Sequence, residues 1–215
     1  MVTAWTSSAA LFVTILATGL TPLFFRWKSH HLDVFLSFGA GVLLSAAFLH
    51  MFPDATQQLG ARAGVWVLAG FLALFTVEKL TMAHACGEHA CPNHKVGLSA
   101  LLGLSVHSVI AGMALGAALS GTATIATAML FAVLVHKVPE TLALMALFLS
   151  SHWSRGKALA GLTWFAAMGP VGIFLSRLGV DASGSRDMPA ILLAASTGTF
   201  LYIASSDLLP HLHRK

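Results

Sequence analysis

Three residues inside long apolar stretches carry the most chemistry in this chain. His136 and Glu140 are four residues apart, so on a helix they lie one above the other on one face. An imidazole and a carboxylate at that spacing can grip one divalent metal ion. His107, in the preceding apolar stretch, can supply a third ligand from a neighbouring antiparallel helix. Nitrogen and oxygen donors suit zinc, and also iron, manganese or cadmium. Ser108 and Lys137 stand next to the two histidines. A fixed ammonium beside a cation site repels metal, yet Lys137 is three residues from Glu140 and can pair with it. Such a lysine either occupies the place of a second metal ion or snorkels away from the path. Pro139 lies in the same cluster and frees the carbonyl of Val135, toward a permeation path or simply as a packing kink. The same residues would also suit a buried polar network joining two helices, or a proton path.

Other ionisable groups lie near the ends of apolar stretches. His50 and Asp54 close one of them, and Asp207 and His211 close another; these four are candidate pathway residues. A loop running from His84 through Cys86, Glu88, His89 and Cys91 to His94 packs six candidate ligands into eleven residues. Thiolate with imidazole favours zinc, but the Cys-x4-Cys spacing lacks the second knuckle of a regular finger. The loop is a metal collector or sensor, or simply a solvated polar segment.

These groups need a membrane to make sense of them. Of the 215 residues, 57% are hydrophobic and only 9% charged, and the mean hydropathy is +0.82. Soluble domains carry about 25% charged residues. That composition excludes a soluble enzyme, a disordered chain and a nucleic-acid binder, despite the formal charge of +4. Two cysteines and no cleavable leader pattern exclude a disulfide framework. A spanning helix needs about 20 apolar residues. Seven such runs appear, at about Ala4–Phe25, Leu32–Phe52, Ala63–Met82, Val96–Leu119, Ala123–Ser150, Ala158–Leu178 and Met188–Leu209. Pro53-Asp54 falls in the gap after the second. The expected fold class is an all-α membrane protein, one transmembrane domain over 1–215, with a ligand-rich cytoplasmic loop at 83–95. A barrel is excluded by the lack of ten-residue alternation.

Basic residues set the orientation. With the N-terminus outside, Arg26, Lys28, Lys79, Lys95, Arg155, Lys157, Arg214 and Lys215 fall inside, and Arg62, Arg177 and Arg186 outside. Lys137 is within a span. Eight against three is the positive-inside bias, and it places the C-terminus in the cytoplasm. Compact loops and alanine-rich helices point to a bacterial inner membrane.

Two internal matches join spans that cross in opposite directions. Gly41, Leu44, Ala47 and Pro53 align with Gly198, Leu201, Ala204 and Pro210, which sets His50 opposite Asp207. His107-x-Val-x-Ala-x-x-Ala-Leu aligns with His136-x-Val-x-Glu-x-x-Ala-Leu. Inverted repeats with polar groups near the midplane mark transporters, although apolar helices also resemble one another by chance.

Four stretches extend the argument: AGVLLSAAFLHMFPDA, HSVIAGMALGAAL, HKVPETLALMAL and TGTFLYIASSDLLP. With the histidine-rich loop between the third and fourth spans, they make the chain resemble the ZIP (Zrt/Irt-like) divalent metal-ion transporters. The resemblance implies carriage of zinc or a related cation into the cytoplasm by alternating access, with no enzymatic activity. It also implies a metal site between the fourth and fifth helices, on His107, His136 and Glu140, and a homodimer in the bilayer. It further implies an inverted-repeat bundle of eight helices. The chain ends just after the seventh motif, so a seven-helix variant, or a partner covering the gap, is expected. Other departures from the family pattern are Ala111 where many members place a carboxylate, Ser108 for asparagine, Lys137 for aspartate or asparagine, and Gly169 for glutamate. Together they predict a single-metal site in which Lys137 replaces a second cation. The rival readings of the same ligands are a zinc-dependent intramembrane hydrolase, a cation or proton channel, and a sensor or scaffold that does not transport.

Overall fold

The computed structural model describes residues 2–24, 29–85, 93–178 and 187–210. Among them every regular element is helical: α1 (Ala4–Phe24), α2 (Ser29–Ala46), α3 (Phe52–Leu59), α4 (Arg62–Ala85), α5 (Asn93–Ala118), α6 (Ala123–Ser150), α7 (Arg155–Arg177) and α8 (Met188–Tyr202). Among the described residues, seven spans are long and apolar enough to cross a membrane. Helices are what such a sequence must form, because a bilayer offers no water to satisfy free backbone groups.

The second span is longer than its apolar run. The helix passes through Pro53-Asp54, expected as a gap, and continues to Leu59. Pro53 falls in the first turn of α3, but the residues before it are helical too, so it lies within one continuous helix, two residues past a π-helical turn. A π-helical turn, Ala47–Met51, joins α2 to α3. Gly60 then ends the span with φ of 58°, a left-handed conformation that favours glycine. A second π segment, Ile203–Leu208, follows α8. The two segments fall at matching positions of the first internal match, in which Ala47 pairs with Ala204. Local geometry thus repeats where the residues do.

Glycines decide which helices touch most closely. A Cβ on Gly70 would lie 2.0 Å from the carbonyl oxygen of Ala195, and one on Gly198 would lie 2.0 Å from that of Val67. Only glycine allows this approach, so α4 and α8 lie backbone to backbone. The same holds for α5 and α7: a Cβ on Gly112 would lie 2.2 Å from Gly169 O, and one on Gly172 would lie 2.1 Å from Val109 O. Helix α1 packs on α6 and α7, and α3 on α8. The result is two glycine-locked pairs, α4–α8 and α5–α7, with α6 beside the second. Helices α5 and α8 also meet.

The core between them is built from Leu36, Leu43, Leu104, Leu144, Phe165 and Phe200, all essentially without exposure. Trp5, Val65, Leu68, Phe131 and Trp164 are exposed instead. Apolar side chains on both faces of a helix are what a lipid environment requires.

Candidate metal centre

Helices α5 and α6 are antiparallel neighbours joined by a short turn, and Thr122 caps α6 by accepting from the Ile125 amide. His107 stands near the middle of α5, and His136 and Glu140 near the middle of α6. Their ligating atoms all lie within 4.8 Å of one another. His107 Nε2 is 3.2 Å from Glu140 Oε1. The two imidazole rings are 5.9 Å apart.

Each side chain is already held in a ligating pose. His136 Nδ1 is 2.8 Å from the carbonyl oxygen of Ala132, one turn back. That contact fixes Nδ1 as the protonated nitrogen, since a carbonyl only accepts. Nε2 keeps its lone pair, is buried, and finds no hydrogen-bond partner among the described residues. A buried acceptor left empty at the centre of three donors suits a cation. His107 Nδ1 is 2.9 Å from the hydroxyl of Ser196, which leaves its Nε2 facing Glu140.

Lys137 donates from Nζ to Glu140 Oε2 at 2.5 Å, and its side chain is fully buried. The ammonium also lies 5.2 Å from the centre of the Phe165 ring, close enough for a cation–π contact. The lysine does not snorkel. Each Glu140 oxygen therefore has its own partner: Oε1 faces His107 and Oε2 the lysine. Ser108 is buried on another face of α5, near Gly169, where a Cβ would lie 3.7 Å from its Oγ. Its hydroxyl has no partner among the described residues. It does not join the triad.

A cavity of about 170 Å³ reaches the triad. Besides His107, His136 and Glu140, its walls include His50, Ala111 and Met129, so it extends toward the end of the bundle that carries the α5–α6 turn. His50 pairs with Asp54 through Nδ1 and Oδ2, 3.2 Å apart and largely exposed. Of the candidate pathway residues, His50 is thus brought to the cavity and Asp54 stands behind it. On the other side of the triad, Leu43, Leu104, Leu144, Leu147 and Ile203 are buried against one another. The side chain of Asp207, and His211, lie outside the described residues. So do the side chains of the loop ligands His84, Cys86, Glu88, His89, Cys91 and His94.

The sequence profile described as ZIP Zinc transporter matches residues 2–97 and 83–215. The chain belongs to the ZIP zinc transporter family. It is 30% identical over 165 residues to Zinc transporter ZIP9 of Micropogonias undulatus, an alignment that takes in 73% of this chain and 53% of that protein. It is 25% identical to Zinc transporter ZIP9-A of Xenopus laevis over 95% of this chain and 83% of the relative. It is 27% identical to human Zinc transporter ZIP2 over 94% and 86%. The chain thus spans about half of the first of these relatives and most of the other two.

Three residues that sequence reasoning passed over bear on this family member. Ser196 and Phe200, one turn apart on α8, both contact His107; the Phe200 ring centre is 4.4 Å from that of the imidazole. Glu78 on α4 is buried and accepts a 2.6 Å hydrogen bond from the hydroxyl of Tyr202. Glu78 had a signal in the sequence: it is a carboxylate within the third apolar run. Ser196 and Phe200 had none, since either residue is ordinary in a membrane helix.

Proposed function

We propose that this ZIP-family protein carries one divalent metal ion at a time, zinc in the first place, through a site formed by His107, His136 and Glu140, and releases it to the cytoplasm. The observation that carries the reading is the convergence of three ligand atoms, one an unpartnered buried imidazole nitrogen, where a cavity ends near the middle of α5 and α6. Family membership makes metal transport, not catalysis, the activity to test, and zinc is the ion named for the relatives.

The chain's own residues shape each step. With the N-terminus outside, the cavity faces outward. His50 at its rim, paired with Asp54 behind it, attracts the arriving cation. The two histidines offer Nε2 and the carboxylate offers Oε1, three ligands with room for water. Three are enough to hold zinc, yet leave the site labile, unlike a closed tetrahedral site. Lys137 supplies a permanent positive charge beside Glu140, so the pocket takes one metal and one ammonium instead of two metals. The apolar contact below the triad closes the inner side. Movement of the metal-bearing helices against the α4–α8 pair would open it, toward Asp207, His211 and the cysteine- and histidine-bearing loop as receivers. Cadmium, iron(II) and manganese(II) are further candidates for the same donor set.

The test is zinc and cadmium flux into proteoliposomes loaded with a fluorescent chelator. Saturable flux is expected for the native protein, and none above empty vesicles for His136→Ala or Glu140→Gln. Flux that rises linearly without saturation points to a channel. No flux from folded native protein overturns the transporter reading.

A further inference from the structure

The imidazole of His107 is held from the other side of a packing boundary. His107 belongs to α5, which is locked to α7 through Gly112 and Gly172. Its two supports, the Ser196 hydroxyl at 2.9 Å and the Phe200 ring at 4.4 Å, belong to α8, locked to α4 through Gly70 and Gly198. Backbone contacts as close as these leave each pair no freedom to slide internally, because any shear drives a carbonyl into an α-carbon. Relative motion must therefore occur between the pairs. The α5–α8 boundary is where Ser196 meets His107.

Serine has the chemistry for this place. With the metal absent, Glu140 has one oxygen on the lysine ammonium and accepts with the other from His107 Nε2–H. Nδ1 then accepts from the serine hydroxyl. With metal on Nε2, the proton must sit on Nδ1, and the same hydroxyl oxygen accepts it. One hydroxyl serves both tautomers. The ring can thus lose Nε2–H, gain Nδ1–H and take the metal on Nε2, its proton count unchanged, without turning and without an orphaned nitrogen. Ser196 is itself 1% exposed, so no water replaces it.

We infer that Ser196 is a positioning residue that fixes His107 for metal only while the α5–α7 and α4–α8 pairs stand as in this structure, so that sliding between them frees the ring and weakens the site. This rests on the assignment of His107 to the transport site. It makes the serine a release element. The hydrogen bond strengthens metal capture from the cavity side and is absent when the site faces the other way.

The test uses the full-length protein in vesicles of one orientation. Zinc flux is measured in both directions for the native chain, Ser196→Ala, Ser196→Thr and His136→Ala. Loss of a partner that orients a metal-bound histidine weakens binding by about 10–100-fold. For Ser196→Ala, the half-saturating zinc concentration is expected to rise by that factor from the cavity side and to stay unchanged from the opposite side. Ser196→Thr, which keeps the hydroxyl, restores the native value. An equal rise on both sides overturns the state-dependent role, and no rise on either side overturns the positioning role. Persistent flux in His136→Ala points instead to a wrong site, and the inference falls with it. Should Ser196→Ala fail to fold, Ser196→Cys keeps nearly the same volume with a weaker donor and acceptor, and must shift the cavity side alone by a smaller factor.

Discussion

Replacing Lys137 by methionine separates the two jobs assigned to that residue. Its ammonium is fully buried and donates to Glu140 Oε2 at 2.5 Å. Methionine fills nearly the same volume and can still lie against Phe165. What it removes is the charge, leaving the Glu140 carboxylate buried with only the histidines near it. Removing one partner of a buried ion pair costs about 3–5 kcal/mol. In the metal-free protein that corresponds to a fall in melting temperature of the order of 10 °C. Metal should act in the opposite sense. Two unit charges about 4 Å apart interact by about 4 kcal/mol at an effective dielectric of about 20, so deleting the ammonium relieves a repulsion of that order on any cation held by Glu140. Even if most of this is screened, a tenfold gain in affinity, about 1.4 kcal/mol, adds directly to zinc-dependent stabilisation. The assay is a thermal melt in detergent, with chelator and then with a zinc series, for native protein and Lys137→Met. The variant should melt lower without metal and gain more from zinc than native protein does. Equal melting without metal, or a zinc-induced rise no larger than the native one, would refute the view that Lys137 stands in for a second cation.

Four further outcomes follow from named positions. Ala111→Glu places a carboxylate on the cavity wall beside the triad; zinc binding, measured by competition with a chromophoric chelator, should tighten about tenfold, roughly 1.4 kcal/mol, while maximal flux falls because release slows. Gly198→Ala drives a methyl group to 2.0 Å from the Val67 carbonyl oxygen and should destabilise the detergent-solubilised protein by at least about 1–3 kcal/mol. Gly41→Ala, where a Cβ meets nothing within 4 Å, should be neutral or slightly stabilising in the same melt. Tyr202→Phe removes a 2.6 Å hydrogen bond to buried Glu78 and should cost about 1.5–3 kcal/mol, read as a lower midpoint in denaturant.

The triad was legible in the sequence for a local reason. His136 and Glu140 share one helix, so their spacing alone sets them on one face, and His107 stood out as an ionisable group within an apolar run. Lys137 pairing with Glu140 could be read in the same way. The seven spans followed from hydropathy, because lipid leaves the backbone no other choice. What escaped notice depends on contacts between distant segments. Nothing about Ser196 or Phe200 in sequence reveals that α8 passes beside His107, and nothing about Phe165 reveals an ammonium lying against its ring. Pro53 misled for the opposite reason. Proline is a helix breaker by propensity, but here it stands just past the π-helical turn Ala47–Met51, inside a helix that runs on to Leu59. Ser108, adjacent to His107 in sequence, projects from another face of α5 because successive helical residues diverge by about 100°.

The paired π segments bear on how the chain tolerates deletions. Each π turn holds one residue more than an α turn would, which rotates everything beyond it by about 100° relative to a regular helix. His50 takes its azimuth from that extra residue in Ala47–Met51. Excision of one residue there would let the segment close into a regular α turn, so everything beyond it keeps its azimuth and Ala55 and Leu59, now buried, stay against the core. The same excision a few residues earlier, in the α-helical part of α2, has no spare residue to draw on: it would turn the rest of the span by about 100° and carry His50 off the cavity rim. Single-residue deletions should therefore be tolerated within the two short segments and disruptive beside them.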